Sequence, residues 1–207
     1  VKKNGKSSLR WELALEVAPK SLPMLEKFRR IFEFKFGRKL KIHRLSNGNY
    51  KIGTSIKKLI GELKALGINF RGTSIPSWVA ENPKFFGAYL AGRIDGDGDI
   101  RVKGYKRRTP QCAVRIHDGN PQVELKHIIQ KQLRCRASIT RRRRVSILKG
   151  RKIQGTCYSL EFVVSKKNIE FIARYLVPHL VISHKKQKLA GYVEFFRNRY
   201  SSLFFVE

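Results

Sequence analysis

The chain carries one order of structural signals twice, about 99 residues apart, and this duplication constrains its fold more than any other feature. In the first stretch Leu9, Trp11, Leu13, Leu15 and Val17 alternate with Arg10, Glu12, Ala14 and Glu16, the period of a strand with one buried face. Ser21 and Pro23 then introduce a helix with apolar positions Met24, Leu25, Phe28, Ile31 and Phe32, stopped by Gly37. Residues 39–44 and 49–54 read as a hairpin around Asn47-Gly48, a dipeptide suited to the left-handed conformations of a tight turn. A second helix is expected over residues 55–66, with Gly67 as its stop. The later stretch repeats this order. Cys112, Val114 and Ile116 form the alternating strand, Asp118-Gly119-Asn120-Pro121 the turn, and residues 123–133 the helix. Residues 137–144 and 158–164 form the hairpin, and residues 167–176 the closing helix. The expected fold class is α+β: a duplicated αββαββα-type unit whose antiparallel sheets carry helices on one face and basic residues on the other. The expected division is a first unit over 1–72, without its leading helix, a linker over 73–83 marked by Pro76, Asn82 and Pro83, and a second unit over 84–207.

Charge narrows the partner. There are 45 Lys and Arg against 15 Asp and Glu, a formal charge of +30, yet 42% of residues are hydrophobic, so the chain folds rather than staying disordered. A folded core with this excess repels itself until a polyanion neutralises it; nucleic acid fits better than an anionic membrane surface. No apolar run is long enough to span a bilayer and no signal-peptide pattern opens the chain, which points to an intracellular protein without a membrane partner. Cys112, Cys135 and Cys157 are odd in number and far apart, with no CxxC pair or Cys/His cluster. That excludes a disulfide scaffold and a zinc finger, and leaves small buried side chains in a reducing compartment.

The segment that carries chemistry runs from Asn82 to Ile100. Asn82 is a good helix cap and Pro83 a good first helical residue, so a helix starts here, and Gly96 and Gly98 are expected to end it. Gly87 with Ala91, and Ala88 with Gly92, stand four apart and make faces without bulk, against which another helix backbone can pack closely. Asp95, Asp97 and Asp99 follow at the helix C-terminus, where the dipole disfavours negative charge, so a divalent cation or strong donors must compensate. An EF-hand fails: its sixth and twelfth positions hold Ile100 and Lys106 in place of Gly and Glu. His117-Asp118 and His184 lack the further ligands of a His-metal site.

Leu90-Ala91-Gly92-Arg93-Ile94-Asp95-Gly96-Asp97-Gly98 resembles the LAGLIDADG motif, with Arg93 and Gly96 as departures. With the duplicated pattern, the resemblance extends over nearly the whole chain. It implies two motif helices at the centre of a pseudo-twofold structure, and a saddle of antiparallel strands lying in the major groove of DNA. It also implies a homing-type endonuclease that cuts double-stranded DNA. Asp97, the last motif acid, would bind Mg2+ at the scissile phosphate for metal-assisted hydrolysis. At the observed offset the partner motif helix falls before Val1. Three explanations stay open: a trimmed sequence, a helix supplied by a second chain, or loss of the helix in a protein that keeps the fold. The last would give a retired nuclease that binds structured RNA, as an intron maturase or a component of an organellar ribosome. The resemblance implies residence in a mitochondrion, a chloroplast or an archaeal cytoplasm.

The expected contact residues are basic and cluster on strands. Arg101, Lys103, Lys106, Arg107 and Arg108 follow the motif, and Arg115 lies on the alternating strand. Arg141, Arg142, Arg143, Arg144, Lys149 and Arg151 lie on or beside the long hairpin, while Lys41, Arg44 and Lys51 flank the first one. A two-stranded ribbon fits the major groove, where Arg can bind guanine through paired hydrogen bonds. The same run of arginines binds phosphate without regard to sequence and serves RNA as well. Near the C-terminus the resemblance implies a catalytic basic residue, usually Lys, that helps organise water or phosphate beside the active site; Lys185 is the first match and Lys186 the second.

Overall fold

The structure, a computed structural model, describes residues 2–3, 6–7, 12–68, 74–104, 110–148 and 151–200. The chain divides into two units, Val1–Phe70 and Arg71–Glu207. Leu9 and Trp11, the first residues of the expected alternation, lie outside the described residues.

In the first unit, β1 (Leu13–Val17), α1 (Leu22–Phe36), β2 (Ile42–Arg44), β3 (Tyr50–Thr54) and α2 (Lys57–Ala65) follow one another, with an antiparallel sheet ordered β1-β3-β2. Gly37 ends α1 at φ 62°, donating its N–H to Glu33 O. Gly48 turns the hairpin at φ 84°, and Asn47 Oδ1 accepts from Asn49 N at 3.0 Å. One side of the sheet carries Leu13, Leu15 and Val17 opposite Thr54, Ile52 and Tyr50. Ile52 is fully buried there, but Leu15 stays 39% exposed.

The second unit begins with a helix inside the expected linker. α3 (Ser77–Glu81) is five residues long, too short to show a helical period in sequence. Trp78 meets Phe85 edge-on at 5.3 Å, and Gln132 Nε2 donates to Ala80 O at 2.7 Å. Then come α4 (Pro83–Asp97), β4 (Gly98–Lys103), β5 (Gln111–Asp118), α5 (Val123–Leu133), β6 (Ala137–Leu148) and β7 (Arg151–Val164). The closing helix, α6 (Ile169–Phe171), passes into a π-helical stretch, Ile172–Leu176, and a 3-10 turn, Val177–His179; α7 (Ser183–Tyr200) is last. The closing helix α6 starts two residues later than expected, directly after buried Asn168, which accepts from Ser165 N and donates to Val163 O, both at 2.8 Å.

The four strands are antiparallel in the order β4-β5-β7-β6. Ile100, Val114, Ile116, Leu160 and Phe162 form the inner face, in one core with Phe86, Leu90 and Ile94 of α4 and with residues of α5 and α7. The hairpin is longer than expected. β5 accompanies β7 only as far as the Asp118–Tyr158 pair, while β6 and β7 continue to the Leu148–Arg151 pair as a two-stranded arm.

Asn82 caps α4, its Oδ1 accepting from Lys84 N at 2.9 Å and Phe85 N at 3.4 Å, with Pro83 as the first helical residue. Asn82→Ala should cost about 1 kcal/mol of stability, measured by denaturant unfolding. Of the two small-residue faces of α4, the buried Gly87/Ala91 face is occupied within the unit. A Cβ on Gly87 would stand 2.1 Å from Tyr175 O, so the π-helical stretch lies directly on the helix backbone. A Cβ on Gly92 would meet nothing within 4 Å. Of the three cysteines expected to be buried, Cys112 is, whereas Cys135 and Cys157 are half-buried; burial pushes the Cys112 thiol up to about 12. Cys112 should resist alkylation at pH 8 in the native protein and react after denaturation, read by mass spectrometry. Among the described residues no helix is long and apolar enough to cross a membrane.

Candidate nucleic-acid interface and metal-binding acid

α4 runs straight into β4, and its three acids meet three different environments. Asp95 is 2% exposed; its Oδ2 accepts from Val181 N at 2.8 Å and its Oδ1 from Ile182 N at 3.2 Å. Its carboxylate is therefore committed to backbone donors entering α7. Lys185 returns the contact from α7: Nζ donates to Ile94 O at 2.7 Å and Asp95 O at 2.9 Å. A cation at these carbonyls offsets the negative end of the helix dipole. The ends of the two helices are thus clasped reciprocally. Asp99 Oδ2 accepts from Arg101 Nε at 2.6 Å. Asp97 is exposed and has no polar partner among the described residues. Of the three acids, it is the one with both carboxylate oxygens uncommitted among the described residues.

The donor set defines what kind of cation fits. Among the described residues no group of three His, Cys, Asp or Glu side chains could hold a metal. A single exposed carboxylate suits a hard ion such as Mg2+, which keeps several waters and takes its remaining ligands from substrate phosphates. It does not suit a metal caged by protein alone. Lys185 lies at the α4 carbonyls, two residues before Asp97 along the helix, while Lys186 is exposed on α7.

Arg93, the departure within the motif, is half-buried, and its Nη2 donates to Asp118 Oδ2 at 2.7 Å. Asp118 also accepts from Asn120 N at 2.9 Å, so one acid fixes both the turn after β5 and the guanidinium on α4. Burial pushes the Tyr89 phenol up, with Arg93 opposing the shift.

Strand alternation places Asp99, Arg101 and Lys103 on the outer face of the second sheet, beside Arg115 and His117 of β5 and Ser159 and Glu161 of β7. Arg115 is pinned: its Nε donates to Glu161 Oε2 at 2.8 Å and its Nη2 bonds the same oxygen, while Nη1 is buried without a partner among the described residues. His117 Nδ1 and Ser159 Oγ are hydrogen-bonded at 2.8 Å. Burial first, then Arg115, holds the imidazole below its ordinary value, so it is neutral at pH 7. Neither Glu161 nor Ser159 was singled out by sequence; they become visible only through the β5–β7 register.

On the arm, Arg141, Arg142, Arg143 and Arg144 stand opposite Tyr158, Cys157, Thr156 and Gly155, and Arg151 opposite Leu148. The side chains of Arg141, Arg142 and Arg143 are exposed and fall on alternating faces. Lys106, Arg107, Arg108 and Lys149 lie outside the described residues. In the first unit, Lys51 pairs with Glu12 at 3.1 Å on the face that also carries His43 and Glu16. Lys41 is exposed ahead of β2, and Arg44 lies on the opposite face, with Ile42. Charge on that outer face of the first sheet is nearly balanced, whereas the arm of the second unit carries consecutive arginines, Arg141–Arg144.

No protein-family model and no curated protein matches the sequence. Solved structures do. A double variant of I-DmoI, in complex with its target DNA nicked in the coding strand and with manganese present, aligns at a TM-score of 0.50, with 16% identity over 87% of each chain. The homing endonuclease I-WcaI, bound to its DNA recognition sequence, aligns at 0.48 with 15% identity over 90% of this chain and 78% of its own. The I-LtrWI LAGLIDADG homing endonuclease, bound to target DNA, aligns at 0.49 with 13% identity over 90% and 80%. The chain shares the α+β fold of I-DmoI, with antiparallel sheets, over most of its length.

Proposed function

We propose that the chain is a divalent-metal-dependent endonuclease of the LAGLIDADG type that cuts double-stranded DNA, with Asp97 as its metal-binding acid. One observation carries this reading. Among the described residues Asp95 and Asp99 are each engaged by other groups of the chain, whereas Asp97 is exposed and unpartnered at the junction of α4 with an arginine-bearing sheet. The fold shared with I-DmoI supports it. The clasp at Asp95 and Lys185 fixes the end of the helix backbone from which Asp97 projects. Lys103 and the arm arginines neutralise phosphates and hold the duplex against the sheet. Asp97 would hold the cation, whose chemistry there would be to activate a water and offset charge on the phosphate.

The test is cleavage of a randomised duplex library with Mg2+, by the wild type and by Asp97→Asn. Site-specific cuts that disappear in the variant support the reading. The absence of cutting, together with tight binding of structured RNA unchanged by Asp97→Asn, overturns it. It would leave a nucleic-acid-binding protein on the same fold. One observation favours that second reading: the exposed arm arginines alternate between both faces of the ribbon, which suits phosphate contact without base readout.

A further inference from the structure

We infer that Arg101 reads one guanine in the major groove of duplex DNA and that Asp99 positions it for that contact. This rests on the nuclease reading and deepens it by assigning a base. Two guanidinium groups on the outer face meet carboxylates, and their geometry separates their roles. Arg115 spends Nε and Nη2 on one oxygen of Glu161, its side chain is 13% exposed, and its Nη1 is buried. It has no edge to offer and serves as scaffold. Arg101 engages only Nε, with Asp99 Oδ2 at 2.6 Å, and its side chain is 46% exposed. Both its terminal nitrogens are without a partner among the described residues.

A guanidinium held by Nε presents its two Nη groups as a fixed planar fork. Part of the ordering cost of a paired hydrogen bond is then met before binding. The pleat enforces the arrangement, because residues two apart on β4 share a face. Electrostatics chooses the ligand. A carboxylate 2.6 Å from the guanidinium repels a phosphate but leaves a neutral acceptor edge attractive. Guanine is the base that presents two acceptors, O6 and N7, on its major-groove edge. The deep, narrow major groove of an RNA duplex does not admit such a side chain, so duplex DNA is the matching partner.

The experiment is selection from randomised duplex DNA by the full chain without divalent metal, for wild type, Arg101→Lys and Asp99→Asn. Thermal melts verify that the variants fold. For wild type, one selected guanine should be worth roughly ten- to a hundredfold in affinity over the other bases. Arg101→Lys keeps the charge and should lose discrimination at that position alone, with other positions unchanged. Asp99→Asn should weaken the same preference while overall affinity holds or rises. A guanine preference that survives Arg101→Lys overturns the inference, as does a loss spread evenly over all sequences. If the wild type selects no duplex site and binds structured RNA instead, the nuclease reading has failed. If it selects a duplex site that is cut once Mg2+ is added, and Arg101→Lys leaves that selection unchanged, only the base assignment has failed.

Discussion

Asp97→Asn is expected to reduce DNA cleavage about a thousandfold while leaving DNA affinity and thermal stability within a factor of two and a degree or two of wild type. The amide matches the carboxylate in size, so nothing is repacked. It removes only the negative charge, the property a hard cation requires. Because Asp97 has no partner among the described residues, no internal contact is lost. Asp95→Asn, the same chemical change two residues earlier, serves as the contrast. There an amide NH2 would be turned toward Val181 N or Ile182 N, setting donor against donor in a buried position. That variant should lose stability first and activity only as a consequence. Single-turnover cleavage beside a denaturant titration of each variant separates the two. Equal loss of activity with equal loss of stability in both would refute the division of labour between the acids.

Gly87→Ala is expected to destabilise the second unit by at least about 3 kcal/mol, lowering its melting temperature by roughly 10 °C. The added methyl would sit 2.1 Å from a backbone oxygen, that of Tyr175, and a backbone atom cannot rotate aside as the tip of a long side chain can. Gly92→Ala, on the same helix, should move stability the other way, by about 0.5–1 kcal/mol, since its new methyl meets open space and alanine favours a helix. Calorimetry of the two variants tests the contact through a difference in sign. A neutral Gly87→Ala would mean that the π-helical stretch can withdraw from α4 without cost.

What sequence could show was whatever repeats or whatever local chemistry compels. Alternation located Cys112, Val114 and Ile116 in the core, and Asn82-Pro83 placed the start of α4. Gly37 and Asn47-Gly48 placed a helix end and a hairpin turn. The three acids at the end of α4 were legible as a problem of uncompensated charge, but not how it was resolved. Asp95 finds its donors 86 and 87 residues away, and no spacing rule reports contacts so distant. Lys185 was legible as a basic residue near the motif, whereas its grip on Ile94 O and Asp95 O emerges only once α7 packs. A continuous run of arginines likewise hid its own alternation, which depends on register. The first copy shows the converse. Its pattern matches the second, yet Leu15 is 39% exposed where Val114, at the matching position, is fully buried beneath α4.

The arm formed by β6 and β7 beyond Tyr158 has a further consequence. Among the described residues no third strand pairs with it, so both its edges offer unsatisfied amide and carbonyl groups. Such a ribbon is a template onto which a neighbouring copy can add strands and begin a fibril. The arginines at positions 141–144 oppose this, because stacking one arm on another brings like charges within a few ångströms. Neutralising them to gain a weaker grip on polyanions would therefore sacrifice colloidal stability, and the first sign would be turbidity rather than altered binding.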